Sequence, residues 1–81
     1  MRVINKKVAS SWASGVATSS HTGNFWTDGV KLYSYRLLIG DTSATGEKVL
    51  RDHTARGKWG FSSQTTSCHV NMAKPYADMV D

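Results

Sequence analysis

At 81 residues, 40% of them hydrophobic, the chain has room for one small core and is read as a single domain over residues 1–81, close to the lower limit of what folds alone. It carries no polar low-complexity tract, no apolar run of bilayer-spanning or signal-peptide length, and one cysteine, Cys68, which together exclude disorder, a membrane partner and an internal disulfide framework. The formal net charge of +4 favours association with nucleic acid or an acidic protein partner. The expectation is a soluble intracellular protein of modest stability, or a homodimer that shares its core.

In chain order, Asn5 to Ser14 reads as a short helix, with Asn5 as N-cap, Val8 and Trp12 one turn apart on one face, and Gly15 as the stop. The alternative is an edge strand over Arg2 to Asn5 followed by a serine loop. In either case Trp12 is expected in the core. Val16 to Asn24 is small, polar and threonine-rich, which suggests a weak strand ending in a turn or bulge at Gly23-Asn24. Phe25 and Trp26 are adjacent, so in extended chain they point to opposite faces and one of the two is exposed or covers an edge.

The run Lys31 to Gly40 is the strongest strand signal, flanked by Asp28-Gly29 and Gly40-Asp41. Read as one central strand, it places Tyr33, Tyr35, Leu37 and Ile39 on an apolar face and Leu32, Ser34, Arg36 and Leu38 on a mixed one. Asp41 to Glu47 is a polar connection, Lys48 to Thr54 the returning strand, and Trp59-Gly60-Phe61 a short extended piece. Ser62 to Ser67 offers several N-caps. Beyond it the apolar residues from Cys68 to Val80 recur at helical spacing. Pro75 either kinks that helix or ends it near Lys74 and opens a second short one. The fold class that follows is α+β: an antiparallel meander of three or four strands with a C-terminal helix packed on the Tyr33/Tyr35/Leu37/Ile39 face.

Catalytic chemistry has little support. Cys68-His69 lacks the spacing of structural zinc ligands and no second cysteine completes a pair; His21 and His53 could meet across strands, but no metal or other cofactor is expected. Cys68 is read as a small buried thiol rather than a nucleophile. The six acids form no evident pair, and no phosphate-binding glycine loop occurs. The expectation is a protein that is not an enzyme.

Three surfaces remain as candidates. Arg51, His53, Arg56 and Lys58 are interleaved with Trp59 and Phe61, a pattern that can neutralise phosphates and stack unpaired bases, against the plainer reading of core aromatics beside a solvated turn. Thr65, Thr66 and Ser67 with His69 at a helix start can bind an anion, or simply cap the helix. Trp26, Leu32 and Arg36 are the candidates for a protein interface.

At Leu32-Tyr33-Ser34-Tyr35, Leu38-Ile39-Gly40, Ser63 to Val70 and Ala73-Lys74, the chain resembles a group of small uncharacterised proteins of tailed bacteriophages. That resemblance implies an accessory protein acting in the cytoplasm of an infected bacterium, with no catalytic residues to carry over. It implies action by binding, either on a host or anti-phage defence protein or, as the alternative, on nucleic acid. Pro75 is the point of departure from the group's pattern.

Overall fold

The computed structural model describes residues 5–20, 22–54, 59 and 63–81. Helix α1 (Asn5–Ser14) is followed by strands β1 (Ala17–Ser19), β2 (Phe25–Asp28), β3 (Leu32–Ser34), β4 (Leu37–Thr42) and β5 (Lys48–Leu50). Helix α2 (Gln64–Ala73), a 3₁₀ turn (Lys74–Tyr76) and strand β6 (Met79–Val80) complete the chain. The strands form one open sheet in sequence order; β1 to β5 are an antiparallel meander and β6 runs parallel to β5. The class is the expected α+β, with six strands in place of three or four.

The N-terminal helix takes the range read from its sequence. Val8, Ala9 and Trp12 are fully buried, as their i, i+4 spacing requires. Gly15 ends the helix at φ 75°, a conformation glycine adopts without the Cβ penalty. Trp12 is the core anchor: its indole N–H donates to the Val30 carbonyl at 3.2 Å, and its ring lies against Gly40.

The run from Lys31 to Gly40 is two strands, not one. Ser34 pairs with Leu37 across a hairpin whose two tip residues are Tyr35 and Arg36. The chain reverses at Tyr35, which holds φ 56°. A register shift follows: Leu32 pairs with Gly40 and Tyr33 with Leu38, leaving Ile39 as an extra residue that is buried together with Gly40. Turn and bulge together reassign the faces. Leu32 and Ser34 point inward, and Tyr33 points to the opposite side and is half-buried.

Both helices lie on that inward face. Phe25, Leu32, Ile39 and Leu50 of the sheet meet Val8, Trp12, Val70 and Ala73 of the helices in one core. Each of the valine, leucine, isoleucine and phenylalanine side chains contributes about 1.5–3 kcal/mol by leaving water. The face is therefore built from Phe25, Leu32 and Ser34 rather than from Tyr33 and Tyr35. The other face carries Trp26, Tyr33, Leu38, Asp41 and Val49, all half-buried.

Lys48 joins the inner side at the sheet's far end. It is 7% exposed, and its ammonium donates to the Gly29 carbonyl at 3.1 Å and the Thr42 hydroxyl at 2.7 Å. Burial holds its pKa below the usual lysine range.

Ser63 is the cap of α2. Its Oγ accepts the Thr66 N–H at 3.0 Å, satisfying one of the free amides of the first turn. Pro75 follows the second sequence alternative: α2 stops at Ala73, and the proline sits in the first turn of the short 3₁₀ helix, where its missing N–H is harmless. Beyond it Met79 and Val80 form a strand rather than a helical face, bonded beside Val49 and Leu50.

Candidate protein-binding surface

The tip of the β3–β4 hairpin is held from the neighbouring strand. Trp26 donates its indole N–H to the Tyr35 carbonyl at 2.9 Å, and the Asn24 carbonyl accepts the Tyr35 N–H at 2.7 Å. The Trp26 ring stacks on Tyr33, centroids 4.1 Å apart and 11° from parallel. These contacts fix a backbone conformation that an L-residue other than glycine adopts at a penalty of about 1–2 kcal/mol. The result is a cleft of about 600 Å³ lined by Gly23, Asn24, Trp26, Tyr35 and Arg36.

Tyr35 is 45% exposed. Arg36 is exposed beside it, and its guanidinium has no hydrogen-bond or ion-pair partner among the described residues. Among the described residues no acid lines the cleft, and Arg36 is the one formal charge there. An indole held by stacking on Tyr33, a planar cation and the Asn24 amide suit recognition by stacking and charge-assisted hydrogen bonding.

Of the three residues expected at a protein interface, Trp26 and Arg36 meet here. Leu32 does not belong: it is fully buried, because the turn at Tyr35 and the bulge at Ile39 send it into the core. Sequence reasoning missed Tyr33 and Tyr35 as surface aromatics. The adjacent Phe25-Trp26 pair gave a usable signal, and Phe25 is indeed buried while Trp26 is half-buried.

The basic and aromatic stretch is assembled in part. Arg51 lies over the Trp59 ring, 4.5 Å from its centroid. Trp59 is 42% exposed, and its indole N–H donates to the Asp81 carboxylate at 3.2 Å. His53 is buried, its ring 6.0 Å from that of Trp59, with Nε2 unpartnered among the described residues. Arg56, Lys58 and Phe61 lie outside the described residues. An acid and an intramolecular cation thus occupy the Trp59 indole that a base would have to meet. Nearby, Asp52 pairs with Lys74 at 3.7 Å. Its carboxyl is held below the usual range, chiefly by the Thr54 hydroxyl.

The anion site is not formed as expected. Thr66 and His69 are 2% exposed, whereas Thr65 faces solvent. Thr66 Oγ1 lies 3.0 Å from Ser34 Oγ, which lies 2.7 Å from His69 Nδ1. His69 also stacks on Phe25, centroids 4.3 Å apart. Burial holds the His69 pKa below its ordinary value. Ser34 is fully buried, so this serine–histidine pair links sheet to helix and offers no accessible nucleophile. The hydroxyl at the helix start that acts on backbone is Ser63, as a cap.

Cys68 is exposed, not the buried thiol expected, because the inward side of α2 is taken by Thr66, His69, Val70 and Ala73. Among the described residues, no group of three or more His, Cys, Asp or Glu could hold a metal ion. Likewise no described helix is long and apolar enough to cross a membrane. Compared with known proteins, the chain matches no family model, no curated protein and no solved structure.

Proposed function

We propose that this protein is a non-enzymatic binding protein, an accessory protein of a bacteriophage that inhibits or modulates a host or defence protein in the cytoplasm of the infected cell. The observation that carries the reading is the hairpin tip. Tyr35 is kept in a strained conformation by Trp26 and Asn24, beside an exposed Arg36 that has no partner among the described residues. Strain maintained by surrounding contacts is a mark of preorganised binding sites, and Trp, Tyr and Arg are the residues enriched at interface hot spots.

The test is a pull-down from bacterial lysate with and without nuclease, using the wild type and Trp26→Ala. A discrete host protein that survives nuclease and is lost with Trp26→Ala supports the reading. Retention of every captured protein by Trp26→Ala removes it.

Nucleic-acid binding is the second reading, favoured by the partial exposure of Trp59, 42%, next to the Arg51 cation. It requires affinity that falls steeply with salt, in proportion to the phosphates contacted. Binding unchanged between low and physiological salt excludes it.

A further inference from the structure

We infer that the hairpin-tip cleft recognises an acidic segment of its protein partner, a carboxylate set next to an apolar or aromatic side chain. This deepens the proposed binding function and rests on it. Among the described residues the cleft has one formal charge, Arg36, and no lining acid. Its guanidinium is free to make the two parallel hydrogen bonds that a carboxylate accepts. The half-buried Trp26 borders the same space, giving an apolar wall for the neighbouring side chain, while the Tyr35 ring lies 6.3 Å from that of His69.

The charge distribution favours a carboxylate over a polyphosphate track. A nucleic-acid groove needs several cations in a line, and the described cations do not form one with Arg36. Arg51 lies on Trp59, Lys74 is paired with Asp52, Lys48 is buried, and the exposed Lys6 and Lys7 lie on α1 and do not line the cleft. Lys31 precedes β3 at the end opposite the hairpin tip. A single bidentate cation beside the Trp26 ring matches one acidic side chain in a peptide.

The experiment is an amide and side-chain NMR titration of the full chain with three probes. These are a short acidic peptide carrying one phenylalanine, its counterpart with each acid replaced by Asn or Gln, and a short single-stranded oligonucleotide. The acidic peptide is expected to shift the Trp26 indole N–H, the Tyr35 and Arg36 amides and the Arg36 Nε–H, with the amide counterpart at least about tenfold weaker. Arg36→Gln is expected to weaken the acidic peptide by about tenfold, and Arg36→Lys to restore part of that loss. Equal binding of both peptides, no shift with any probe, or shifts of these signals by the oligonucleotide alone would each overturn the inference.

The same variants separate this inference from the reading beneath it. A host protein lost with Trp26→Ala but kept by Arg36→Gln leaves the binding surface standing and removes the acidic segment. Retention by both variants removes the two together.

Discussion

Ser34 in β3 and His69 in α2 meet at 2.7 Å in the buried space between sheet and helix, 35 positions apart in the chain. The contact places a titratable ring where water does not reach, and His69 is accordingly held below its ordinary pKa of 6.5.

The sign of the resulting pH dependence is fixed. The fold favours the neutral ring, so the unfolded chain takes up a proton at a higher pH than the folded one. The stabilisation is fully present above about pH 6.5 and is lost as the pH falls below that value toward the folded pKa. The urea midpoint is expected to be lower at about pH 5 than at about pH 7.5, with the difference reduced in His69→Gln. Asp28 and Asp52 are held below their ordinary 3.8. Their losses therefore enter at lower pH and do not blur the His69 window. A midpoint independent of pH across that window would contradict the assignment.

Tyr35 offers a test of backbone strain. Glycine and asparagine accept the left-handed conformation more readily than tyrosine, whereas a β-branched residue resists it. Tyr35→Gly and Tyr35→Asn are expected to retain wild-type stability or gain up to about 1 kcal/mol. Tyr35→Val should lose about 1–2 kcal/mol. Thermal melts rank the three, and Tyr35→Val as the most stable would refute the turn.

At Gly40 the constraint is space. A Cβ there would sit 2.8 Å from Trp12 Cζ2 and 3.0 Å from Leu32 Cβ, and both neighbours are fully buried. Gly40→Ala is expected to destabilise by about 1–3 kcal/mol. For a domain of this size that lowers Tm by roughly 4–8 °C per kcal/mol, readable by circular dichroism.

The cap of α2 is the last test. Ser63→Ala removes the acceptor for the Thr66 N–H, and a loss of about 1 kcal/mol is expected. Ser63→Asp, which restores an acceptor, should recover most of it. Equal melting of all three proteins would show that Ser63 does not cap.

What was legible in the sequence follows from how local the signals are. Val8, Trp12 and Gly15 define α1 within three turns of chain, so its limits came out as read. Ser63 and Pro75 were legible in part: the cap was placed within Ser62 to Ser67 without singling out Ser63, and Pro75 left a kink and a helix end as alternatives, of which the second holds. The hairpin at Tyr35-Arg36 was not, because neither residue carries a turn signature and the alternation runs unbroken through them. The bulge at Ile39 added a second change, since a shift of one residue moves side chains to the other face. Leu32 was misplaced for that reason. β6 was missed because Met79 and Val80 fit a helical repeat and find their strand partners only through Val49 and Leu50. Of the site, Trp26 could be inferred from its neighbour Phe25, while the role of Tyr35 depends on a dihedral angle that no composition rule reveals.

The parallel placement of β6 beside β5 also orders the folding reaction. Strands β1 to β5 are joined by short connections and close small loops, so their pairing is an early, local event. The β5–β6 pair must wait until the whole intervening segment, α2 included, has crossed the sheet. Amide hydrogens of Asp78 and Asp81, bonded to the Lys48 and Leu50 carbonyls, are therefore expected to gain protection in refolding later than that of Tyr35, bonded to Asn24 within the meander. The β3–β4 hairpin tip would then be assembled before the far edge of the sheet is sealed.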